Sequence, residues 1–234
     1  MVSRLVGDGL VDRDADLKIV PRLASSWDYA DSGRVLIFHL RSGVRFHDGH
    51  PFTSKDVLFT YERIVDPKSH AVGRLDGFLP VERLEIPDDL TVRVIYRHPY
   101  APALTSWEVP ILPRHLYESG DFASSRYNRA PVGTGPFRFV SWDTGRRMVL
   151  AANTDYWGGR PYLDRLELPM IPAQETTLMA LLAGEIDYAS LTPTQWAAHA
   201  AEPQFGRRFS TFQYLSLFFY YIAWRGDGSN PFFS

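Results

Sequence analysis

The sequence predicts an α/β fold in which strands and short helices are mixed, without the strict strand–helix–strand alternation of a parallel sheet. Three observations carry this prediction. Residues 34–40 and 90–96 have strand character, a helix with start and stop signals lies between them, and residues 137–183 repeat the same devices. No internal repeat and no low-complexity linker interrupts the series. We therefore expect an α/β or α+β arrangement with mixed sheets.

The two strands of the first half are indicated by their side chains. Residues 34–40 are rich in β-branched and aromatic residues, and residues 90–96 alternate between apolar and polar ones. The Pro87–Asp89 stretch before the second strand is a turn signal. Each strand should turn one apolar face inward. The residues expected on those faces are Leu36, Phe38 and Leu40 in the first strand, and Leu90, Val92, Val94 and Tyr96 in the second.

The helix between these strands is predicted from its ends. Thr53 can serve as its N-cap, and Asp56 stands where the acid of a capping box belongs. The pair Asp66-Pro67 ends it, because a residue before proline resists the α conformation. Apolar residues follow at helical spacing between these limits, namely Val57, Tyr61, Ile64 and Val65.

The second half repeats these signals. Residues 137–140 and 147–150 should pair around a turn at 143–145, and residues 166–170 form a strand that its proline places near a sheet edge. Two helices are then expected. The first covers 176–183, with Leu178, Leu181 and Leu182 inward and Gly184 as its stop, and the second is capped by Thr192 and Gln195 and anchored by Trp196.

Composition excludes several classes of function. The chain has 234 residues, of which 45% are hydrophobic, enough for one large domain or two small ones with a buried core. Its 25 basic and 27 acidic residues give a net charge of −2, so we expect no nucleic acid as a partner. Cysteine is absent, which excludes disulfides, thiolate metal sites and cysteine nucleophiles.

The first residues show no secretory signal. Met1–Arg4 lead directly into a polar stretch, so we expect either a cytoplasmic protein or a signal region outside this chain. The longest apolar run, Tyr214–Trp224, is roughly half of the ~20 residues that a spanning helix needs. We interpret it as a buried strand, and we expect most of the aromatic residues in 212–224 to belong to the core, with a few facing a cleft.

Candidate catalytic and metal sites are weak. His47 and His50 flank Asp48, yet the segment is dense in turn-forming residues and lacks the ligand number and spacing of a zinc site. The acids Asp88 and Asp89 fit a solvated turn better than a glycosidase pair. We therefore predict no catalytic residue, no metal and no cofactor.

The glycine-rich segments do not form a nucleotide motif. Residues 7–9 and 133–136 neither complete G-x-G-x-x-G nor carry the lysine of a P-loop, and no G-x-S-x-G elbow occurs. We expect residues 133–136 to set a tight bend between a loop and a strand.

Six segments, in order and at matching spacing, resemble the characteristic blocks of the family 5 solute-binding proteins of ABC importers. They are IVPRLASSW (19–27), FHLRSGVRFHDG (38–49), FTSKDV (52–57), PVGTGPF (131–137), NTDYWGGRP (153–161) and LAGEID (182–187). One departure is Gly7-Asp8-Gly9-Leu10, where an aromatic–glutamate–glycine–leucine stretch is usual in the family.

The resemblance implies a periplasmic-binding-protein-like fold of type II within a protein roughly twice this length. Residues 8–114 would form the accessory domain, and residues 1–7 with 115–215 part of the first lobe. Residues 216–234 would form a crossing strand into a second lobe that this chain lacks. The resemblance further implies a periplasmic or extracytoplasmic location, with lipid anchoring left open.

The same resemblance implies a receptor rather than an enzyme. It would capture peptides or a similar small solute by lobe closure and deliver it to an ABC permease in the membrane, acting as a monomer. In relatives the segment after the glycine–glutamate–isoleucine–aspartate block reaches the cleft. The residues at these positions are Tyr188, Ser190, Leu191 and Thr192.

Two other functions stay open at this point. One is a ligand-sensing domain fused to a regulator, which would keep the fold. The other is a metal-dependent hydrolase using His47 and His50. For Tyr188 an alternative to ligand contact is equally simple, namely that its side chain is buried in the core as part of a strand.

Overall fold

The computed structural model describes residues 2–69, 75–199 and 202–212. Within these ranges the strands form three sheets, of two, four and three strands, and every pairing is antiparallel. The predicted mixture of strands and short helices is confirmed. The expected strand at Tyr214–Trp224 and the expected crossing at 216–234 lie outside the described residues.

The helices and strands are short. The strands are β1 Val11–Arg13, β2 Ile19–Pro21, β3 Ala24–Ala30, β4 Val35–Leu40, β5 Val81–Asp88, β6 Thr91–Tyr96, β7 Phe137–Asp143, β8 Arg147–Ala152 and β9 Arg165–Pro169. The helices are α1 Val2–Val6, α2 Ser54–Val65, α3 Arg114–Tyr117, α4 Gln174–Ala183, α5 Pro193–His199 and α6 Pro203–Arg208. None of the helices in the described ranges has the length and apolar character needed to traverse a bilayer.

The four-stranded sheet runs β3-β4-β6-β5 and covers the larger core. Trp107 is fully buried there, with the rings of Phe38 and Phe78 edge-on to it at 5.7 and 5.0 Å between centroids. Large rings packed edge to face bury much apolar area in one place, which stabilises this half of the chain. The predicted inward residues of β4 are confirmed, since all three are at most 5% exposed.

One inward prediction in this sheet is wrong. Leu90 is 39% exposed, whereas Val92, Val94 and Tyr96 are fully buried. The register pairs Asp88 with Thr91, so Leu90 lies in the hairpin turn ahead of β6. Its backbone N–H donates to the Asp88 carboxylate at 2.8 Å. The strand therefore begins one residue later than the sequence pattern suggests.

Helix α2 begins and ends where its signals predict. The Asp56 carboxylate accepts the backbone N–H of Thr53 at 2.9 Å, which gives the reciprocal half of a capping box. Asp66 leaves the helix in an extended conformation, with ψ of 117°, ahead of the proline. The helix packs against β5 and β6, which places Val57 and Ile64 in the core.

The three-stranded sheet β7-β8-β9 forms a second, smaller core. The buried residues Val6, Phe137, Met148 and Leu150 form its centre, and the first two join α1 to β7. The predicted hairpin around residues 143–145 and the predicted edge position of β9 are confirmed. Helix α4 ends at Gly184, whose φ of 78° is the left-handed geometry of a glycine stop.

The segment 133–136, here called the glycine loop, passes directly over the amino-terminal helix. The N–H of Gly135 donates to the carbonyl of Val6 at 2.9 Å. A Cβ atom on Gly133 would overlap that same carbonyl oxygen. The expected bend is present, and glycine is required there because two backbones meet without room for a side chain.

Asp8 joins the glycine loop to the segment that follows β8. Its carboxylate accepts the indole N–H of Trp157 at 2.9 Å, the hydroxyl of Tyr156 at 3.1 Å and the hydroxyl of Thr134 at 3.3 Å. Burial raises the pKa of this carboxyl, although the bonds from Trp157 and Tyr156 oppose the rise. A buried carboxylate at this position also argues against the phosphate role of residues 7–9.

Candidate functional site

A cavity of about 630 Å³ lies beyond the carboxyl end of α4, between the segment 187–191 and helices α5 and α6. This volume falls in the range of small-molecule sites, which are concave and largely apolar. Five of its described lining residues are aromatic. They are Tyr188, Trp196, Phe205, Phe209 and Phe212.

Side-chain hydrogen bonds join the segment 187–191 to α4, and join α4 to α5 and α6. The amide nitrogen of Gln174, the first residue of α4, donates to the carbonyl of Ser190 at 2.7 Å. The side chain of Gln195 donates back to the carbonyl of Gln174 at 3.4 Å. Arg208 of α6 donates to the carbonyl of Leu182 at 2.7 Å. The cavity wall is therefore tied to three helices.

The structure brings three of the four predicted site residues into this wall. Tyr188, Ser190 and Leu191 line the cavity, and the Tyr188 hydroxyl lies 3.4 Å from that of Ser190. Tyr188 is 54% exposed, so it is not strand core. Thr192 accepts the N–H of Gln195 at 3.2 Å, which is the predicted cap of α5. Contact of these residues with a ligand stays a prediction.

Sequence reasoning missed much of the cavity. Phe205 and Phe209 come from α6 and its carboxyl end, and their rings lie 4.8 Å apart. No motif in the sequence around Phe205 and Phe209 indicated that they would lie next to residues 187–191. Phe212, which opens the aromatic run 212–224, is 66% exposed with its ring near that of Tyr188. The rest of that run lies outside the described residues.

Among the described residues that line the cavity, Asp187 is the single charged one. Within the described ranges its carboxylate takes part in no ion pair and no hydrogen bond, unlike Glu167, which pairs with Arg147 and Arg165. The sequence pattern had placed Asp187 in a family block without assigning it a role.

His47 serves the fold. Its Nε2 contacts the carbonyl of Gly135 at 2.9 Å, and its Nδ1 accepts the N–H of Gly133 at 3.3 Å. A carbonyl can only accept, so Nε2 carries the proton and the ring is neutral in this geometry. Burial lowers the pKa of His47, in agreement with that state.

The turn at residues 46–50 is as predicted. The N–H of Gly49 donates to the carbonyl of Phe46, and the N–H of His50 to the Asp48 carboxylate. The ring of His50 stacks on that of His115 at 3.8 Å between centroids. In the part of the chain that the structure describes, no group of three or more His, Asp or Glu side chains is arranged to hold a metal ion.

Comparison with known proteins agrees with the resemblance. Residues 18–234 match the model of the bacterial extracellular solute-binding proteins, family 5 middle region. Protein XP55 of Streptomyces lividans is 35% identical over 86% of this chain and 36% of its own.

Two solved structures show the same fold. NikZ of Campylobacter jejuni, in complex with Ni(L-His), superposes with a TM-score of 0.79 and 29% identity, over 86% of this chain and 40% of that one. The oligopeptide-binding protein AppA of Bacillus subtilis, in complex with a nonapeptide, gives a TM-score of 0.76 and 28% identity, over 84% and 40%. The chain thus spans about two fifths of the length of these relatives. On this match over nearly its whole length, the chain belongs to the family 5 bacterial extracellular solute-binding proteins.

Proposed function

We propose that this chain is part of the substrate-binding component of an ABC importer, which captures a peptide or similar small solute outside the cytoplasm and delivers it to a membrane permease. One observation carries the proposal beyond family membership. The segment after the family block 182–187 forms the wall of a 630 Å³ cavity rich in aromatic side chains. A relative of this fold is named as an oligopeptide-binding protein and was solved with a nonapeptide.

The proposed domain arrangement has residues 8–114 as the accessory domain, and residues 1–7 with 115–215 as part of the first lobe. Two features support it. The four-stranded sheet and its core are built from residues within 8–114, and α1 packs on β7 of the other sheet. Residues 216–234, proposed to cross into a second lobe, lie outside the described ranges.

The proposed ligand contacts are Tyr188, Ser190, Leu191 and Thr192. The Tyr188 ring offers a stacking surface, and the Ser190 hydroxyl offers both a donor and an acceptor. Backbone groups of the same segment would read the main chain of a peptide, while a roomy cavity tolerates different side chains. Closure of a second lobe would bury the ligand, as in other hinge-closing receptors.

The proposed setting follows from the family. Its members are described as extracellular, so we propose a periplasmic or extracytoplasmic receptor that is monomeric and not an enzyme. The same proposal includes a lipid anchor on the receptor. Mass spectrometry of the protein from the membrane fraction tests for the mass of the lipid.

Titration calorimetry of the protein at its full genomic length, against pools of di- to nonapeptides, tests this function. We expect binding of at least one pool, and we expect Tyr188→Ala to weaken it by about tenfold because the ring that would stack on the ligand is lost. Tyr162→Ala is the matched control, since Tyr162 is fully exposed and lies outside the cavity. If no peptide, sugar or metal chelate gave a heat of binding, the proposal would be refuted.

A further inference from the structure

A second cavity, here called the junction cavity, lies where the two cores meet. Its volume is about 460 Å³, and none of the residues that line it belongs to the cavity beside α4. Its wall includes Val132, which packs against the larger core, and Phe139, which packs against the smaller one. A concave site of this volume can hold a small organic molecule.

Two guanidinium groups give the junction cavity a positive charge. Arg126 and Arg138 line it together with one carboxylate, that of Asp48. Both oxygens of that carboxylate are already engaged, since one accepts the N–H of His50 at 3.1 Å and the other lies 2.7 Å from Nε2 of His115. Two guanidiniums beside one engaged carboxylate attract an anion.

Arg138 is fixed in position by its own hydrogen bonds. Its Nη1 donates to the carbonyl of His47 at 3.0 Å, and its Nε and Nη2 donate to the side-chain oxygen of Asn153 at 3.0 and 2.7 Å. Asp155 pairs with Nη2 at 3.2 Å, but its side chain is 82% exposed, so water screens this pair. The His47 ring also lines the cavity and adds no charge, because Nε2 carries its proton and Nδ1 accepts a hydrogen bond.

Arg126 retains donors for a ligand. Its guanidinium lies over the ring of Tyr127, 4.8 Å from the centroid, and its Nη2 donates to the hydroxyl of the same residue at 2.7 Å. Among the described residues Arg126 has no carboxylate partner, unlike Arg147, which pairs with Glu167 at 2.9 Å. Its Nε and Nη1 likewise have no acceptor there, and a guanidinium forms strong, charge-assisted hydrogen bonds with a carboxylate.

The remaining wall is mostly apolar. Besides Tyr127 it consists of Ala130, Pro131, Val132 and Phe139. The last three are half-buried, so each still shows part of its side chain to solvent. A ligand with an apolar group would remove this surface from water, whereas a bare inorganic anion would leave it exposed. The wall therefore favours an anion that carries a ring or an alkyl chain.

We propose that the junction cavity binds a small organic anion, a carboxylate attached to an aromatic or aliphatic group, held by Arg126 and Arg138. The site is separate from the cavity that contains Tyr188, so the proposal does not depend on the receptor function. A ligand bound there would contact residues of both cores.

Fluorine NMR of 4-fluorobenzoate, added to the protein at its full genomic length, tests the proposal. The width and position of the ligand signal measure even millimolar dissociation constants. The neutral 4-fluorobenzamide has the same ring, and we expect it to bind about fivefold more weakly, at the upper end for an exposed ion pair. Trifluoroacetate, a carboxylate without a ring, should bind about threefold more weakly than 4-fluorobenzoate, because it covers less apolar surface.

Variants locate the site. Arg126→Gln should reduce the preference for 4-fluorobenzoate over 4-fluorobenzamide from about fivefold to about twofold, because Arg138 remains. Arg129→Gln is the matched control and should keep the preference. Arg129 is equally exposed and three residues away, but it bonds to Thr144 and does not line the cavity. Circular dichroism reports whether each variant is folded.

Salt provides an independent readout. Raising the salt from about 0.1 M to about 1 M shortens the screening length from about 10 Å to about 3 Å. The preference for the charged probe should therefore shrink in the parent chain, and it should shrink less in Arg126→Gln, where less of it remains.

Several results would overturn the proposal. They are the absence of 4-fluorobenzoate binding at millimolar concentration, equal binding of 4-fluorobenzamide, and an unchanged preference in Arg126→Gln. An equal loss of preference in Arg126→Gln and Arg129→Gln would also overturn it, because a general effect of surface charge would then explain the binding. Trifluoroacetate that bound as tightly as 4-fluorobenzoate would refute the role of the apolar wall. None of these results bears on peptide binding, so the receptor function is tested separately.

Discussion

Asp8 shows how a single buried carboxylate can organise distant segments. It accepts hydrogen bonds from Thr134, Tyr156 and Trp157, which lie 126 to 149 residues further along the chain. Its side chain is nearly buried, and burial raises its pKa, so the charged form is held against a desolvation cost. Such a group stabilises the fold through the donors that it satisfies more than through its charge.

Replacements of Asp8 separate these two effects. In Asp8→Asn the amide oxygen can accept from Trp157 while the amide nitrogen donates to the Tyr156 hydroxyl, so we expect a loss of about 1 kcal/mol or less in the free energy of unfolding. In Asp8→Ala the donors on Thr134, Tyr156 and Trp157 all lose their acceptor, and we expect a loss of about 2–3 kcal/mol. Urea unfolding measures both variants. Equal losses would show that charge and not donor satisfaction matters.

His47 makes stability depend on pH. Burial lowers its pKa in the folded chain below the ordinary 6.5, so the folded state binds fewer protons than the unfolded state. The free energy of unfolding should therefore fall as the pH drops from about 6.5 through the folded pKa. Protonation places a hydrogen on Nδ1, where it meets the N–H of Gly133.

The measurement is urea unfolding at several pH values between neutral and mildly acidic. His47→Gln should flatten the fall in this interval, because the titrating ring is gone. His98→Gln is the control, since His98 is exposed and should leave the profile of the parent unchanged. Parallel profiles for the parent and His47→Gln would contradict the assignment.

At the scale of elements, helix α2 depends on Asp56 more than on its N-cap residue. The Asp56 carboxylate accepts the N–H of Thr53 at 2.9 Å, the hydroxyl of Thr53 at 3.3 Å and the N–H of Arg114 at 3.0 Å. It therefore caps α2 and also fixes the first residue of α3. Burial raises its pKa, while the backbone N–H groups of Thr53 and Arg114 oppose the rise.

Alanine variants should rank these contributions. We expect Asp56→Ala to lower the free energy of unfolding by about 3 kcal/mol, because two backbone donors lose their acceptor. Thr53→Ala should cost about 1 kcal/mol, the usual value of an N-cap. Lys55→Ala, at an exposed ion pair with Asp89, should cost about 0.5 kcal/mol or less. A larger loss for Thr53→Ala than for Asp56→Ala would disprove this ranking.

Elements with chemical signals at their ends could be predicted from the sequence. The cap at Thr53, the stop at Gly184 and the turn at residues 143–145 are local, and local signals are visible in a linear chain. Strand β3 was not predicted, because its residues 24–30 do not alternate between apolar and polar side chains. Its position depends on pairing with β4.

The candidate site was predictable only in part for the same reason. Tyr188, Ser190 and Leu191 followed from a resemblance carried by nearby residues. Phe205 reaches the cavity because Arg208 of α6 bonds to the end of α4, a contact between segments 26 residues apart. The position of Asp187 in the cavity wall, without a partner among the described residues, is likewise a property of its surroundings in space, which no sequence motif encodes.

At the scale of the whole molecule, the glycine loop is where the two cores meet. Gly135 donates its N–H to the carbonyl of Val6 in the smaller core, and it bonds to His47, which follows Phe46 of the larger core. Arg138 of β7 adds a hydrogen bond to the carbonyl of His47 at 3.0 Å. The relation between the two halves therefore depends on close backbone contact, which leaves little room for adjustment.

Gly133→Ala tests this dependence. Its Cβ would overlap the carbonyl oxygen of Val6, a backbone atom that cannot rotate away, so α1 must shift from β7 or the loop must leave His47. We expect a loss of about 3 kcal/mol in the free energy of unfolding, at the upper end for overpacked sites. Gly206→Ala is the matched control, because its Cβ would meet open space within α6 and should stabilise the helix by up to about 1 kcal/mol.

If both variants unfolded at the same urea concentration as the parent, the two cores would be coupled by something other than this contact. A broader transition in Gly133→Ala than in the parent would instead show that the two halves had begun to unfold separately, as expected when their shared backbone contact is lost.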